Sequence, residues 1–75
     1  MAIATFEEKD QNRMNGSTTY WFELSNADYL DGTYGVVEGR NEGIVDDEGL
    51  PIDQDSAEGV FIRMHCQVTD EMRSE

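Results

Sequence analysis

The chain has 75 residues, of which 17 are acidic and five are basic, giving a net charge of -12. A domain of this size buries only about 60% of the surface of its unfolded chain, so we expect one thin-cored domain over residues 1–75. The charge disfavours direct contact with nucleic acid or an anionic membrane and favours a basic protein surface or cations as partners.

The first third of the chain predicts a β-hairpin. Residues 2–8 and 18–24 read as strands, joined by a polar loop over residues 9–17 that contains the turn signal Asn15-Gly16. Side chains alternate along residues 18–24, which predicts that one set fills the core: Tyr20, Phe22 and Leu24. Trp21 lies on the other face and is a candidate interface anchor. The alternative is that a helix or a second subunit covers this face. Phe61 lies opposite the apolar face of its own predicted strand, so it also suggests a second buried face, such as a homodimer interface.

Residues 25–32, with the sequence SNADYLDG, fit two structures. One is a short helix capped by Ser25 and ended by Gly32, and the other is an irregular loop with an Asp-Gly turn. Residues 33–39 predict a third strand, weakened by Gly35. Residues 43–53 predict a hairpin that turns at residues 47–49, with Pro51 marking an edge strand because proline donates no ladder hydrogen bond.

The C-terminal third contains the clearest alternation in the chain. Five residues at a period of two predict a long central strand over residues 60–68 with one apolar face: Val60, Ile62, Met64, Cys66 and Val68. Residues 54–59 read as a loop, and residues 70–75 as a frayed tail or a short terminal helix. The predicted fold is mainly β, a small antiparallel meander sheet with one short helix as an option (α+β).

Catalytic and metal-binding patterns are weak. The acidic stretch after Ile44 does not fit an EF-hand, because with Gly49 at the sixth position the first position is Ile44. A calcium site of another kind and an ordinary solvated turn remain the two interpretations. Strand geometry points His65 and Cys66 to opposite faces, which makes Cys66 a core residue rather than a nucleophile. We therefore expect no enzyme, no cofactor and no metal.

The single Cys excludes an internal disulfide, and one Cys with one His cannot form a four-ligand zinc site. A lone free thiol suits a reducing compartment, and no apolar run is long enough for a signal peptide or a membrane span. The predicted location is the cytoplasm.

Negative charge is concentrated in the middle of the chain. Residues 42–58 contain no Lys or Arg, and their carboxylates are the first candidates for partner binding: Glu42, Asp46, Asp47, Glu48, Asp53, Asp55 and Glu58. A second candidate patch consists of Asp28, Asp31 and Glu38. Carboxylates two residues apart in a strand lie about 6.6 Å apart, so a strand or loop can present a row of charge like a nucleic acid backbone.

In length and composition the chain resembles the small acidic inhibitors made by phages, including DNA mimics and some anti-CRISPR proteins. The resemblance implies an inhibitor that occupies the basic, nucleic-acid-binding surface of a host defence complex in the host cytoplasm. Two alternatives remain open. One is an antitoxin-like module that neutralises another basic protein, and the other is a haloadapted domain whose charge serves solubility.

Overall fold

The computed structural model describes residues 1–74, apart from the side chain of Tyr29, as an antiparallel sheet with short helices. Each strand pairs with the next one along the chain, which confirms the predicted mainly β meander. The elements are β1 (Ile3–Asn12), β2 (Ser17–Ser25), a 3-10 turn (Asp28–Leu30), β3 (Gly32–Gly39), β4 (Gly43–Val45), β5 (Pro51–Ile52), α1 (Ala57–His65) and α2 (Asp70–Ser74).

The predicted N-terminal hairpin is present, but the expected loop over residues 9–17 is wrong. β1 continues to Asn12 and β2 begins at Ser17, so only residues 13–16 form the turn. The N–H of Gly16 donates to the carbonyl of Asn12 (3.0 Å), and Gly16 has the positive φ of +72° expected for this turn signal. Polar residues can extend β1 because it is an edge strand, where side chains remain in water.

One irregularity in β1 changes which side chains face the core. Phe6 pairs with Phe22, but Glu8 pairs with Trp21, so Glu7 forms a bulge. Beyond the bulge, Lys9 pairs with the buried Tyr20 and lies on the core face. Glu8 therefore lies on the same face as Trp21.

The core lies between one face of the sheet and the helices. Tyr20, Phe22 and Leu24 are buried as predicted, and the remaining buried apolar residues are Ala27, Ile44, Ile62 and Cys66. Val68 and Met72, before and within α2, also pack against this cluster. Both helices thus cover the same face, which we call the inner face, and the opposite face is called the outer face.

The predicted strand over residues 60–68 is wrong, because residues 57–65 form α1. Ser56 caps the helix, its Oγ accepting from the N–H of Gly59 (3.0 Å). The buried positions are Gly59, Ile62 and Cys66, a spacing of three and four that matches a helix. Val60 and Met64, expected in the core, are 37% and 65% exposed. Residues 56–59, expected to end a loop, instead form the cap and first turn.

Three other segments were predicted: residues 25–32, the second hairpin and the C-terminal tail. In residues 25–32 a single 3-10 turn forms, and Ser25 belongs to β2 instead of capping a helix. The β4–β5 hairpin is confirmed, with Gly49 at φ +83° and Pro51 beginning the edge strand. The terminal helix is confirmed over residues 70–74, while Glu75 lies outside the described residues.

Polar contacts fasten α2 to the sheet. Lys9 Nζ donates to the backbone carbonyl of Arg73 (2.8 Å) and more weakly to that of Met72 (3.4 Å). Arg73 in turn donates to both carboxylate oxygens of Glu38 in β3, from Nε (3.0 Å) and Nη2 (2.8 Å). Two of the five basic residues of the chain are therefore occupied in holding the C-terminal helix.

Candidate functional site

The seven acidic residues of the central segment lie around the edge of the sheet formed by β4 and β5. We call this set the β5 rim: Glu42, Asp46, Asp47, Glu48, Asp53, Asp55 and Glu58. Glu42 precedes β4, and the register of β5 brings the following loop back beside it, with the amide nitrogen of Gln54 3.2 Å from a Cβ placed on Gly43. All members are exposed except Asp46, which is half-buried.

The rim is built from turns, a loop and a helix start, so its carboxylates follow the loop alternative of the prediction and not a strand. Asp46 Oδ1 accepts from the N–H groups of Glu48 and Leu50 (both 2.9 Å), which folds the β4–β5 turn. Asp53 Oδ1 accepts from the N–H of Asp55 (2.9 Å) in the loop that leads to α1. Asp46 and Asp53 therefore shape the backbone as Asx turns while they contribute negative charge.

Within residues 1–74, no rim carboxylate forms an ion pair with a basic side chain. Across residues 1–74, the ion pairs are those of Arg73 with Glu38 (2.8 Å) and with Asp70 (3.0 Å), and neither involves a rim residue. Arg63 lines the same concavity as Glu42 but forms no ion pair with it, so the rim charge is not neutralised by direct contact and is screened by solvent and dissolved ions.

The predicted second patch does not form as a unit. Glu38 is paired with Arg73, whose hydrogen bond holds the pKa of that carboxyl below its ordinary value. It lies near the end of β3, seven residues and roughly 23 Å along the strand direction from Asp31. Glu38 is thus part of the α2 attachment instead of a free surface charge.

Asp31 and Asp28 lie at the other end of β3. Burial raises the pKa of the Tyr34 hydroxyl, and the negative charges of Asp47, Asp31 and Glu58 raise it further, together with a contribution from Cys66. Asp31 therefore belongs to the same electrostatic environment as two rim residues. Its carboxylate also accepts from the N–H of Ala27, and Asp28 is exposed.

Trp21 lies on the outer face, half-buried at the middle of the sheet. Its six-membered ring covers Gly35 of β3, because a Cβ placed on Gly35 would lie 3.0 Å from Cζ3 of the indole. Neither helix packs on this face, so the predicted location of Trp21 outside the core is confirmed. Three further carboxylates flank it that sequence reasoning missed: Glu8, Asp10 and Glu23. The period of two along β2 already placed Glu23 beside Trp21, but the other two required the β1 register.

The described side chains form no metal-binding cluster, and the single Cys and His have separate surroundings. Residues 1–74 contain no group of three or more His, Cys, Asp or Glu side chains arranged to hold a metal ion. Burial raises the pKa of the Cys66 thiol to about 11, which keeps it protonated near neutral pH. His65 stacks on Phe61, with ring centroids 4.3 Å apart, and its Nδ1 donates to the Phe61 carbonyl (2.9 Å).

In the part of the chain that the structure describes, no helix is long and apolar enough to cross a membrane. Comparisons of the chain with protein-family models, with curated proteins and with solved structures give no match.

Proposed function

We propose that the protein is an inhibitor that occupies the basic, nucleic-acid-binding surface of a host defence or DNA/RNA-handling complex in the cytoplasm. The observation that carries the proposal is the unpaired charge of the β5 rim. Seven carboxylates at one sheet edge have no cationic partner in residues 1–74, while Glu38 and Asp70 elsewhere do.

Basic grooves that bind nucleic acid attract such a surface for the same reason that they attract phosphates. Lys and Arg side chains release condensed counterions when they neutralise a polyanion, and a dense set of carboxylates presents a comparable charge. Complementary potentials also accelerate encounter, to an extent that decreases as salt rises. The partner is therefore a protein, and nucleic acid enters only as the competitor for the same groove.

The experiment is a capture of partners from host-type lysate on the tagged protein, at low and at moderate salt. The test variant carries Glu48→Lys and Asp55→Lys, two exposed rim residues whose side chains do not build the turns. The matched control carries Glu7→Lys and Glu71→Lys, which change the net charge equally but lie away from the rim. Circular dichroism verifies that both variants fold.

We expect the rim variant to lose about tenfold or more in affinity for the captured complex, because each reversal replaces an attraction by a repulsion. The control variant should lose much less. Double-stranded nucleic acid added after nuclease treatment of the lysate should displace the complex. Displacement by neither DNA nor RNA would favour the antitoxin-like alternative, and equal capture by both variants would refute a role for the rim.

A further inference from the structure

The outer face carries a second binding feature at its centre. Cross-strand partners in neighbouring strands share a face, so the register places one row of side chains across the sheet: Glu8, Trp21, Gly35, Val45 and Pro51. The helices pack only on the inner face, through residues such as Ile62 and Met72. The indole of Trp21 is thus the one large aromatic group of this row.

Gly35 lets the indole approach the backbone of β3 closely. A Cβ at this position would be 2.8 Å from Cγ2 of Val45, 2.8 Å from Cγ2 of Thr19 and 3.0 Å from Cζ3 of Trp21. The space that a side chain would fill is therefore occupied by the ring and its two neighbours. The result is an aromatic shelf: the indole packs on β3, and Trp21 as a whole is half-buried, so part of it is reachable from solvent.

Carboxylates of β1 and β2 lie beside this shelf. Glu8 is the direct cross-strand partner of Trp21, with a Cβ separation of roughly 4.5–5.5 Å expected for such pairs. Glu23 follows Trp21 by two residues on the same face, about 6.6 Å further along the strand. Asp10 is paired with Thr19 and, with Trp21, lines a concavity of about 380 Å³. All three carboxylates are exposed.

Basic side chains do not neutralise these acids within the described residues. Lys9 lies between Glu8 and Asp10 in sequence, but it is on the inner face and donates to the end of α2. Arg40 lines the same concavity from the β3–β4 turn, and it forms no ion pair among residues 1–74. The shelf therefore combines an accessible aromatic face with unpaired negative charge.

From this arrangement we infer that the outer face binds an arginine side chain of the partner protein. The guanidinium stacks on Trp21 and donates to the carboxylates of Glu8 and Glu23, a combination that arginine supports better than lysine because its donors lie in a plane. The inference rests on the proposed function for the source of the arginine, since nucleic-acid-binding surfaces present arginines to phosphates. A second copy of this chain is a poor occupant, because it would bring the same carboxylates face to face.

Trp21 is the only tryptophan, so its fluorescence reports this site alone. The probes are two capped hexapeptides of glycine and three basic residues, identical except that one contains arginine and the other lysine. We expect the arginine peptide to quench Trp21 and to bind about threefold or more tighter than the lysine peptide, as a cation–π contact at an exposed site implies. Equal affinity for the two peptides would overturn the inference.

Protein variants locate the contact. Glu8→Gln with Glu23→Gln keeps the side-chain shape and should reduce the arginine preference, whereas Glu48→Lys with Asp55→Lys should weaken both peptides alike. Trp21→Leu, followed by calorimetry and verified by circular dichroism, should abolish the preference. A preference that survives both outer-face variants would refute the site.

Different results would refute the proposed function and the arginine-binding site. Loss of the captured complex in the rim variant without any arginine preference would leave the proposed function standing and remove this site. An arginine preference that depends on Trp21, in a protein whose rim reversal leaves capture unchanged, would retain the site and remove the proposed function.

Discussion

Replacing Gly59 by alanine should destabilise the protein, although the same change in an ordinary helix is favourable. Alanine gains about 0.8–1.0 kcal/mol over glycine in an exposed helix interior. Here α1 crosses the loop after β5, and a methyl group on Gly59 would overlap the carbonyl oxygen of Asp53. It would also lie 2.9 Å from the carbonyl carbon of Asp53 and 3.0 Å from Cα of Gln54. These are backbone atoms, which cannot rotate away as a side chain can.

The size of the expected destabilisation follows from the shift that the loop at Asp53 must make. The Asp53 carbonyl accepts from the N–H (3.2 Å) and from Oγ (2.7 Å) of Ser56, so a shift of the loop weakens two hydrogen bonds worth about 1 kcal/mol each. Overpacking costs about 1–3 kcal/mol. After the gain in helix propensity is subtracted, we expect Gly59→Ala to lower the free energy of unfolding by about 2 kcal/mol. For a small domain this corresponds to a decrease in Tm of roughly 10 °C.

Urea titration followed by circular dichroism measures the change. The control is Val60→Ala at the next helix position, where the side chain is 37% exposed and a change well under that of Gly59→Ala is expected. A Gly59→Ala protein as stable as the wild type, or more stable, would contradict the close approach of helix and loop.

Three further predictions concern other contacts. Gly35→Ala should displace Trp21 and cost about 1–3 kcal/mol, measured by urea titration, with a red shift of tryptophan emission; unchanged emission would count against the aromatic shelf. Because burial raises the pKa of Cys66 to about 11, the native thiol should resist a thiol reagent at pH 8 until urea unfolds the chain. The stability that this thiol contributes should be intact below its ordinary pKa of 9.0 and decrease as pH rises toward 11, since only the unfolded thiol ionises between these values. Arg73 holds the pKa of Glu38 below 4.5, so this pair should stabilise the fold above pH 4.5 and cease to do so as pH falls through the lowered pKa. Thermal melts at a series of pH values should therefore differ in acid slope between wild type and Glu38→Gln, and identical slopes would exclude the pair as a contributor.

The sheet was predictable because its turns are encoded locally. Asn15-Gly16 and the Gly at position 49 specify tight turns by the φ angles that they adopt, and both hairpins form where those residues occur. The alternation over residues 18–24 also identified the buried face of β2 correctly. Such signals need only a few consecutive residues, so no knowledge of the tertiary structure is required.

α1 was mispredicted because its sequence satisfies two periods at once. Val60, Ile62 and Met64 alternate with polar or aromatic residues, yet Ile62 also follows Gly59 by three positions and precedes Cys66 by four. The Ser56 cap and the close approach permitted by Gly59 favour the helix, and both involve the turn at residues 53–56, which the alternation over residues 60–68 does not reveal.

The candidate surfaces were predictable only where their residues are close in sequence. The acids of the β5 rim all lie within residues 42–58, so a short stretch of sequence already indicates that they lie in one region. The pairing of Glu38 with Arg73 joins residues 35 positions apart, and the placement of Glu8 beside Trp21 depends on a bulge. Neither is encoded locally.

The meander order of the strands also has a kinetic consequence. Because every strand pairs with its neighbour in sequence, the sheet can assemble by successive local hairpins, and chains with short-range contacts cross their folding barrier quickly. The packing of the two helices on the sheet is long-range by contrast, most of all the attachment of α2, since Lys9 and Arg73 are 64 positions apart. Closing a loop of this length costs more entropy than closing a hairpin. We therefore expect the C-terminal helix to dock onto the inner face after the hairpins have formed.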